Sequence, residues 1–471
     1  MKTPARILVA LLGFAIIAGR AIATGAKGDE IVAALPVIPD AKFNLADFGG
    51  VGDGKAFNTD AFNKAIAAIA KAGGGHLIVN AGTYKTLPFM LTSHFDLHLE
   101  PGAVIKAPAN FDEYGIPDPN LPGPEPALAI APPRNSGLNN PRVAPLISGA
   151  NLTDVAITGE GTIDGSGQRF WAWSDKHARM YPPGRKFVGR PHLLVFTGMQ
   201  RFHIDGITLT NSPAYHLVPT GSDMLFENIR VVAPSDAPNS DAIDPAGTRI
   251  VIRHCEIDTG DDNVAVHAGT KDVLIEDLTC LHGHGISVGS GTRGGLSHMV
   301  VRRCTFDGTD NGLRIKSYRG AGGEVHDIWY SDITMRNVRR PFDINMLYHG
   351  NDPIPGMGDV GPREALPGET KDIPNFHDIH VTNLTVTRSP VAGRILGIPE
   401  QMARDITFTN VKIESTRGFL VQDGKDIVFE NVQIKPKVGD PIVLDHGSLT
   451  WNGKAMSGTV GGSAIPFYSG N

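Results

Sequence analysis

Beyond about residue 200 the chain repeats one short pattern, apolar-x-x-apolar-x-apolar. It appears as Phe226…Ile229…Val231, Ile252…Cys255…Ile257, Ile275…Leu278…Cys280, Val301…Cys304…Phe306 and Tyr330…Ile333…Met335. After an interruption it returns as Val381…Leu384…Val386, Phe408…Val411…Ile413 and Phe429…Val432…Ile434. The central residues are 26, 23, 26 and 29 positions apart in the first run, and 27 and 21 apart in the second. A loose period in the twenties marks stacked supersecondary units. Alternating apolar positions inside each unit predict short strands, and the Asn, Asp and Gly between them supply turns. Leucine-rich repeats have a similar period, but their Leu-x-x-Leu-x-Leu framework with a fixed Asn is absent. The pattern therefore predicts an all-β fold, a right-handed single-stranded parallel β-helix. Its turns would stack about 4.8 Å apart and line the interior with ladders of like residues.

The ends of a solenoid expose core and unpaired strand edges, so caps are expected. The region at about 43–105 supplies one. Asn58-Thr59-Asp60 is placed to cap a helix from about Ala61 to Ala72. Phe62, Ile66 and Ile69 share one face of it, and Gly73-Gly74-Gly75 ends it. Strands are expected from His76 through Val104. Pro-, Asn- and Gly-rich insertions at about 108–145 and 349–375 break the regularity. Such insertions form rims of binding sites or are plain spacers.

The chain opens with Lys2 and Arg6, a short apolar run from Ile7 to Gly19, and Ala21-Ile22-Ala23. This reads as a signal peptide, residues 1–23, cut before Thr24, with Ala26 as an alternative cut site. The run is too short to span a bilayer, which takes about 20 residues. Residues 24–471 are then one secreted domain, periplasmic or extracellular, with no membrane span. Losing the leader removes Lys2, Arg6 and Arg20 and no acid, so a net charge of −6 becomes −9. That balance argues against general nucleic-acid binding. Glycine, 56 residues, and proline, 34, are abundant, while 41% of residues are hydrophobic, which speaks for many turns and against disorder. Three cysteines, Cys255, Cys280 and Cys304, are too few for a disulfide scaffold and form no CxxC pair. They read as small buried hydrophobes in a ladder.

Four polar clusters interrupt the repeat on consecutive turns: Asn239-Ser240-Asp241, Gly260-Asp261-Asp262, Gly283-His284-Gly285 and Arg314-Ile315-Lys316. Steps near one turn each put all four on the same side. Asp261 and Asp262 can face one ligand only beside a bend, which Gly260 permits. Packed carboxylates repel, raise at least one pKa and keep a proton near neutral pH. That suits glycoside hydrolysis, in which one carboxyl donates a proton and another activates water. Arg314 and Lys316 would attract an anionic sugar. Singly, an Asp at such a turn more often only caps backbone groups; four clusters in succession point to a site.

In these motifs the chain resembles glycoside hydrolase family 28, the polygalacturonase family. The resemblance begins near Phe43, in FNLADFGGVGDG, and rests on PNSDAIDP, TGDDNVAV, GHGISVGS and LRIKS in that order. It implies hydrolysis of the α-1,4-galacturonosidic bonds of polygalacturonate (pectin) with inversion. Asp261 would be the general acid, Asp241 and Asp262 would hold and activate water, and His284 would tune the acid or position the sugar. Asn239, Arg314 and Lys316 would grip the galacturonate, and Tyr348, at the end of PFDINMLY, would contact it. A monomer without cofactor or metal is expected, its partner a pectin oligosaccharide. Departures are Ser240 for the family's usual Thr, Asn263 where Cys is frequent, and His267 where many relatives have Lys.

Stacked turns also suggest a carboxyl gap smaller than the roughly 6.5–9.5 Å usual for inversion. Rival readings are a calcium-dependent pectate lyase on the same fold, a rhamnogalacturonan or xylogalacturonan hydrolase using the same acids, and a non-catalytic polysaccharide-binding β-helix. Endo and exo attack both stay open, with exo favoured if the insertions close one end of the cleft.

Overall fold

The computed structural model describes residues 27–110, 112–114, 144–171, 190–348, 360–365 and 371–458. The expected leader, most of the first insertion and much of the second lie outside the described residues. The described strands form one continuous sheet that coils as a right-handed parallel β-helix.

The apolar triplets become ladders in strict register. Phe226 pairs with Ile252, then Ile275, Val301, Tyr330, Val381 and Phe408. Val231, Ile257, Cys280, Phe306, Met335, Val386 and Ile413 form a second ladder. All these side chains are buried, so each coil hides the apolar edge of the next. The three cysteines are free and buried.

Each coil turns its corners with a pair of left-handed residues five positions apart. The pairs are Asp223/Asn228, Arg249/His254, Asp272/Asp277, His298/Arg303, Asp327/Asp332, Asp378/Asn383, Asp405/Asn410 and Asp426/Asn431, with φ between 52° and 60°. Asn and Asp tolerate this region because their side chains bond locally. The arginines and histidines there are held by ions instead. Arg249 grips Asp223 through two bonds of 2.7 Å, and His298 Nδ1 lies 2.7 Å from Asp272.

A strap from Lys27 to Pro39 runs back along the outside of this corner, against the direction of stacking. Lys27 meets Asp327 at 3.3 Å, Glu30 meets His298 at 3.0 Å, and the backbone N–H of Val37 donates to Asp154 at 2.9 Å. Ile31 and Ala33 pack on an outer apolar row, Leu225, Val251, Leu274 and Val300.

The capping helix spans Thr59–Ala72, starting two residues before the expected point, and buries Phe62, Ile66 and Ile69. Gly73 closes it in a left-handed conformation, as predicted. Asn58 stands at its N-cap but caps nothing with its side chain. Fully buried, its amide instead satisfies the backbone of Val51, Ala56 and Lys85, tying three segments together. At the other end Ile442–Trp451 and Lys454–Gly458 form an antiparallel hairpin that covers the last coil.

Candidate active site

The four polar clusters sit on adjacent coils because the apolar residues beside them are in register. Ile243 pairs with Val264, Val264 with Ile286, and Ile286 with Leu313. These four face the core, so Asp244, Ser287 and Arg314 beside them face outward together, and Asp241, Asp262 and His284, each two positions before one of them, stack at the bends that lead into it. Asp261 and Asp262 lie in a bend between strands Glu256–Asp258 and Val264–Val266. Gly260 permits the bend by close approach: a Cβ there would lie 2.4 Å from the Ala237 carbonyl oxygen. Gly285, at φ 71°, similarly lets the coil press against the backbone of Asn311 and Gly312.

Asp262 is the anchor. Its Oδ1 accepts from Ser287 Oγ at 3.0 Å and from Arg314, and its Oδ2 accepts from Lys316 at 2.9 Å. Arg314 Nε donates to the same Ser287 hydroxyl at 2.9 Å. Burial alone would raise the Asp262 pKa, but Arg314 and Lys316 outweigh it and hold the carboxyl below its ordinary value. Asp241 goes the other way. Burial, then the charges of Asp261, Asp244 and Asp262, push it well up against the pull of Lys316, and its buried Oδ1 has no hydrogen-bond partner. The cluster therefore favours the charged form at Asp262 and the protonated form at Asp241 and Asp244.

Asp261 bonds its Oδ1 to the N–H of Asp262 at 3.1 Å and lies 2.9 Å from His284 Nδ1. The other ring nitrogen is 3.5 Å from Asp310. Burial opposes a charge on His284, but bonds to Asp261 and Asp310 carry its pKa to about 9. It is an imidazolium at neutral pH, and Asp310 is lowered in turn by its bond to it.

Of the remaining expected residues, Asn239 adopts φ 50° and its Oδ1 accepts from Arg190 at 2.7 Å. Lys316 Nζ stands 5.4 Å above the Tyr348 ring, which brings Tyr348 to the site edge. All eight expected residues thus belong to one continuous region. Sequence reasoning missed four others: Ser287, Asp310, Arg190 and Asp244, the last a fully buried carboxyl whose Oδ1 lacks a partner. Ser287 had a usable signal, since it alternates outward between the buried Ile286 and Val288.

Asp261, Asp262 and His284 also present atoms within 4.8 Å of one another, the spacing of a metal triad. Ligands must be deprotonated and uncommitted to bind a cation. Here Asp262 is taken by two cations and a hydroxyl, and His284 carries a proton between two carboxylates. The donor set is built to hold protons.

The sequence profile of glycosyl hydrolases family 28 matches residues 137–417, which contain PNSDAIDP, TGDDNVAV, GHGISVGS and LRIKS but not the earlier FNLADFGGVGDG. The chain belongs to that family. This family 28 chain is therefore a glycosidase. It is 32% identical over 389 residues to a probable polygalacturonase of Vitis vinifera, covering 79% of this chain and 74% of that one. It is 33% identical over 315 residues to a polygalacturonase of Chamaecyparis obtusa, covering 65% of this chain and 56% of that one, little more than half its length. An exopolygalacturonase structure from Thermotoga maritima superposes with a TM-score of 0.71 at 26% identity, covering 88% and 96% of the two chains. None of the described helices is long and apolar enough to cross a membrane.

Proposed function

We propose that this glycosidase hydrolyses the α-1,4-galacturonosidic bonds of polygalacturonate in one inverting step. The observation that carries the reading is the unequal surroundings of the cluster's acids: Asp262 accepts from Ser287, Arg314 and Lys316, which hold its carboxyl down, while Asp241, one coil away, is buried with an unpartnered Oδ1 and pushed up by burial and the neighbouring acids. In the reactive arrangement the cluster's proton has moved to Asp261, where the entering glycosidic oxygen adds an acceptor. Water attacks the anomeric carbon as the bond to the leaving oxygen breaks. The leaving oxygen takes the proton from Asp261, and the water's proton passes to the Asp241–Asp262 pair. The cluster so returns to one proton on Asp241, its resting state. His284, charged and bonded to Asp261, stabilises the carboxylate formed there. Arg314 and Lys316 set the charge that draws an anionic sugar, with Asn239 and Tyr348 at the margins.

The small gap between Asp261 and Asp262 fits their holding different sides of one step rather than forming the acid–base pair alone. The polygalacturonase names of the relatives favour this substrate, and the exopolygalacturonase structure from Thermotoga maritima, 26% identical, favours exo attack. The leader pattern supports export with cleavage before Thr24, leaving residues 24–471 as a single monomeric catalytic domain.

The test is to incubate the purified protein with polygalacturonate and a chelator, then follow reducing ends, ultraviolet absorbance and product sizes. New reducing ends without an unsaturated-product signal are expected, with monomer or dimer released from the start. An unsaturated product that disappears with chelator would mean a lyase and overturn the reading; so would binding without turnover.

A further inference from the structure

His284 is gripped from two sides, and the proposed chemistry uses only one of them. Nδ1 lies 2.9 Å from Asp261, the carboxyl that gives up a proton. Nε2 lies 3.5 Å from Asp310, a carboxyl that takes no part in the step.

The grip is built from the backbone. The N–H of His284 donates to the Asp261 carbonyl at 2.8 Å, and the N–H of Asp310 donates to the Gly283 carbonyl at 2.7 Å. Asp261, His284 and Asp310 thus stand at the bends of three adjacent coils. The two glycines flanking the histidine let both neighbouring coils close on it. A Cβ at Gly283 would lie 2.5 Å from the Asp261 carbonyl oxygen, and one at Gly285 would lie 2.2 Å from that of Asn311.

The charged groups facing His284 are Asp261 and Asp262 from the coil before it, and Asp310 and Arg314 from the coil after it. Asp310 faces His284, with Arg339 and Arg340 beyond. Its bond to His284, more than anything else, keeps the Asp310 carboxyl below its ordinary value, so it is ionised at neutral pH. Half of its side-chain surface is exposed.

The two carboxylates differ in time. When Asp261 carries the proton for the leaving oxygen, it no longer offers the imidazolium a full negative charge. Asp262 stays charged, but its oxygens accept from Ser287, Arg314 and Lys316. Asp310 is charged throughout, so its hold on the ring persists through the step. A ring that stays charged is the ring that stabilises the carboxylate Asp261 becomes.

We propose that Asp310 is a positioning residue of the reaction: from the exposed edge of the cluster it holds the charged His284 against Asp261, and so sets how far into alkali the enzyme works. This rests on the polygalacturonate reading.

The experiment reads the His284 ring directly and then through the rate. In histidine-labelled protein, the ring signal missing from H284A is titrated by NMR in the native chain, D310N and D310E, with thermal melts to certify folding. The native ring is expected to titrate at about 9. D310N should lower that midpoint by about half a pH unit, the worth of a half-exposed ion pair, and D310E should restore it. An unmoved midpoint in folded D310N overturns the proposal whether or not polygalacturonate is turned over. The alkaline limb of kcat on polygalacturonate should fall by the same amount in D310N and recover in D310E, and D310N should cost nothing further when combined with H284A. A native protein without turnover would overturn the function reading and this role together. A limb that stays in place while the midpoint moves overturns the role of Asp310 and leaves the function reading standing.

Discussion

Ser287→Ala perturbs the site without removing a reacting group. The hydroxyl donates to Asp262 at 3.0 Å and accepts from Arg314 Nε at 2.9 Å. The variant strips one of three side-chain donors from Asp262 and leaves a buried guanidinium N–H unpaired. A hydrogen bond to a charged group is worth about 1.5–3 kcal/mol, and one pKa unit corresponds to about 1.4 kcal/mol. The Asp262 carboxyl, now held below its ordinary value, should rise by roughly 1–2 units. In the proposed mechanism ionised Asp262 holds the water, so the acid limb of the kcat/KM profile is expected to move to higher pH by that amount. Stability follows the same sign. A depressed carboxylate stabilises the fold above its unfolded pKa, and that contribution is lost as pH falls through the folded value. The variant's deficit is therefore full at neutral pH and fades in acid. Initial rates of reducing-end release across the pH range, with melts at neutral and acid pH, measure both. A folded variant with the native acid limb and native neutral stability would refute the charge assignment of Asp262.

Asp261→Asn should lose about 10²–10⁴-fold in kcat, the range for a general acid, while oligogalacturonate still binds by calorimetry; retained turnover would move the acid elsewhere. His284→Ala should alter the alkaline limb, because the native imidazolium titrates at about 9. Its raised pKa stabilises the fold fully below the ordinary histidine range and loses this as pH rises through about 9, so the variant's melting deficit should shrink in alkali. Ile31→Ser should cost about 1.5–3 kcal/mol in denaturant melts, the value of burying one such side chain, with kcat unchanged.

The ladders were legible because apolar alternation is written locally. Phe226, Ile229 and Val231 state their strand within six positions. The polar clusters were legible for the same reason, since Asp241, Asp262 and His284 each stand two positions before a buried ladder residue and Arg314 adjoins one. What stayed hidden depends on groups distant in sequence. Lys27 meets Asp327 across 300 positions, and no repeat marks the strap. The left-handed corners hid behind Arg249, His298 and Arg303, residues that adopt this backbone only where an ionic partner holds them. The cluster's repulsion was expected, but its division was not. Asp241 and Asp262 differ because only Asp262 lies within reach of Ser287, Arg314 and Lys316, an arrangement set by register rather than spacing.

The strap changes how the solenoid comes apart. A stack of coils is nearly one-dimensional, each held by its two neighbours, so an end can fray while the middle stays folded. Lys27–Pro39 bridges the coils that carry Asp154, Arg201, Asp223, Arg249, Asp272, His298 and Asp327. No coil in that span can open without either breaking the strap's contacts or dragging it from the others. Local melting becomes a shared event. The coils that carry Asp241, Asp261 and His284 fall inside the bridged stretch, so the candidate site is tied against fraying from either end.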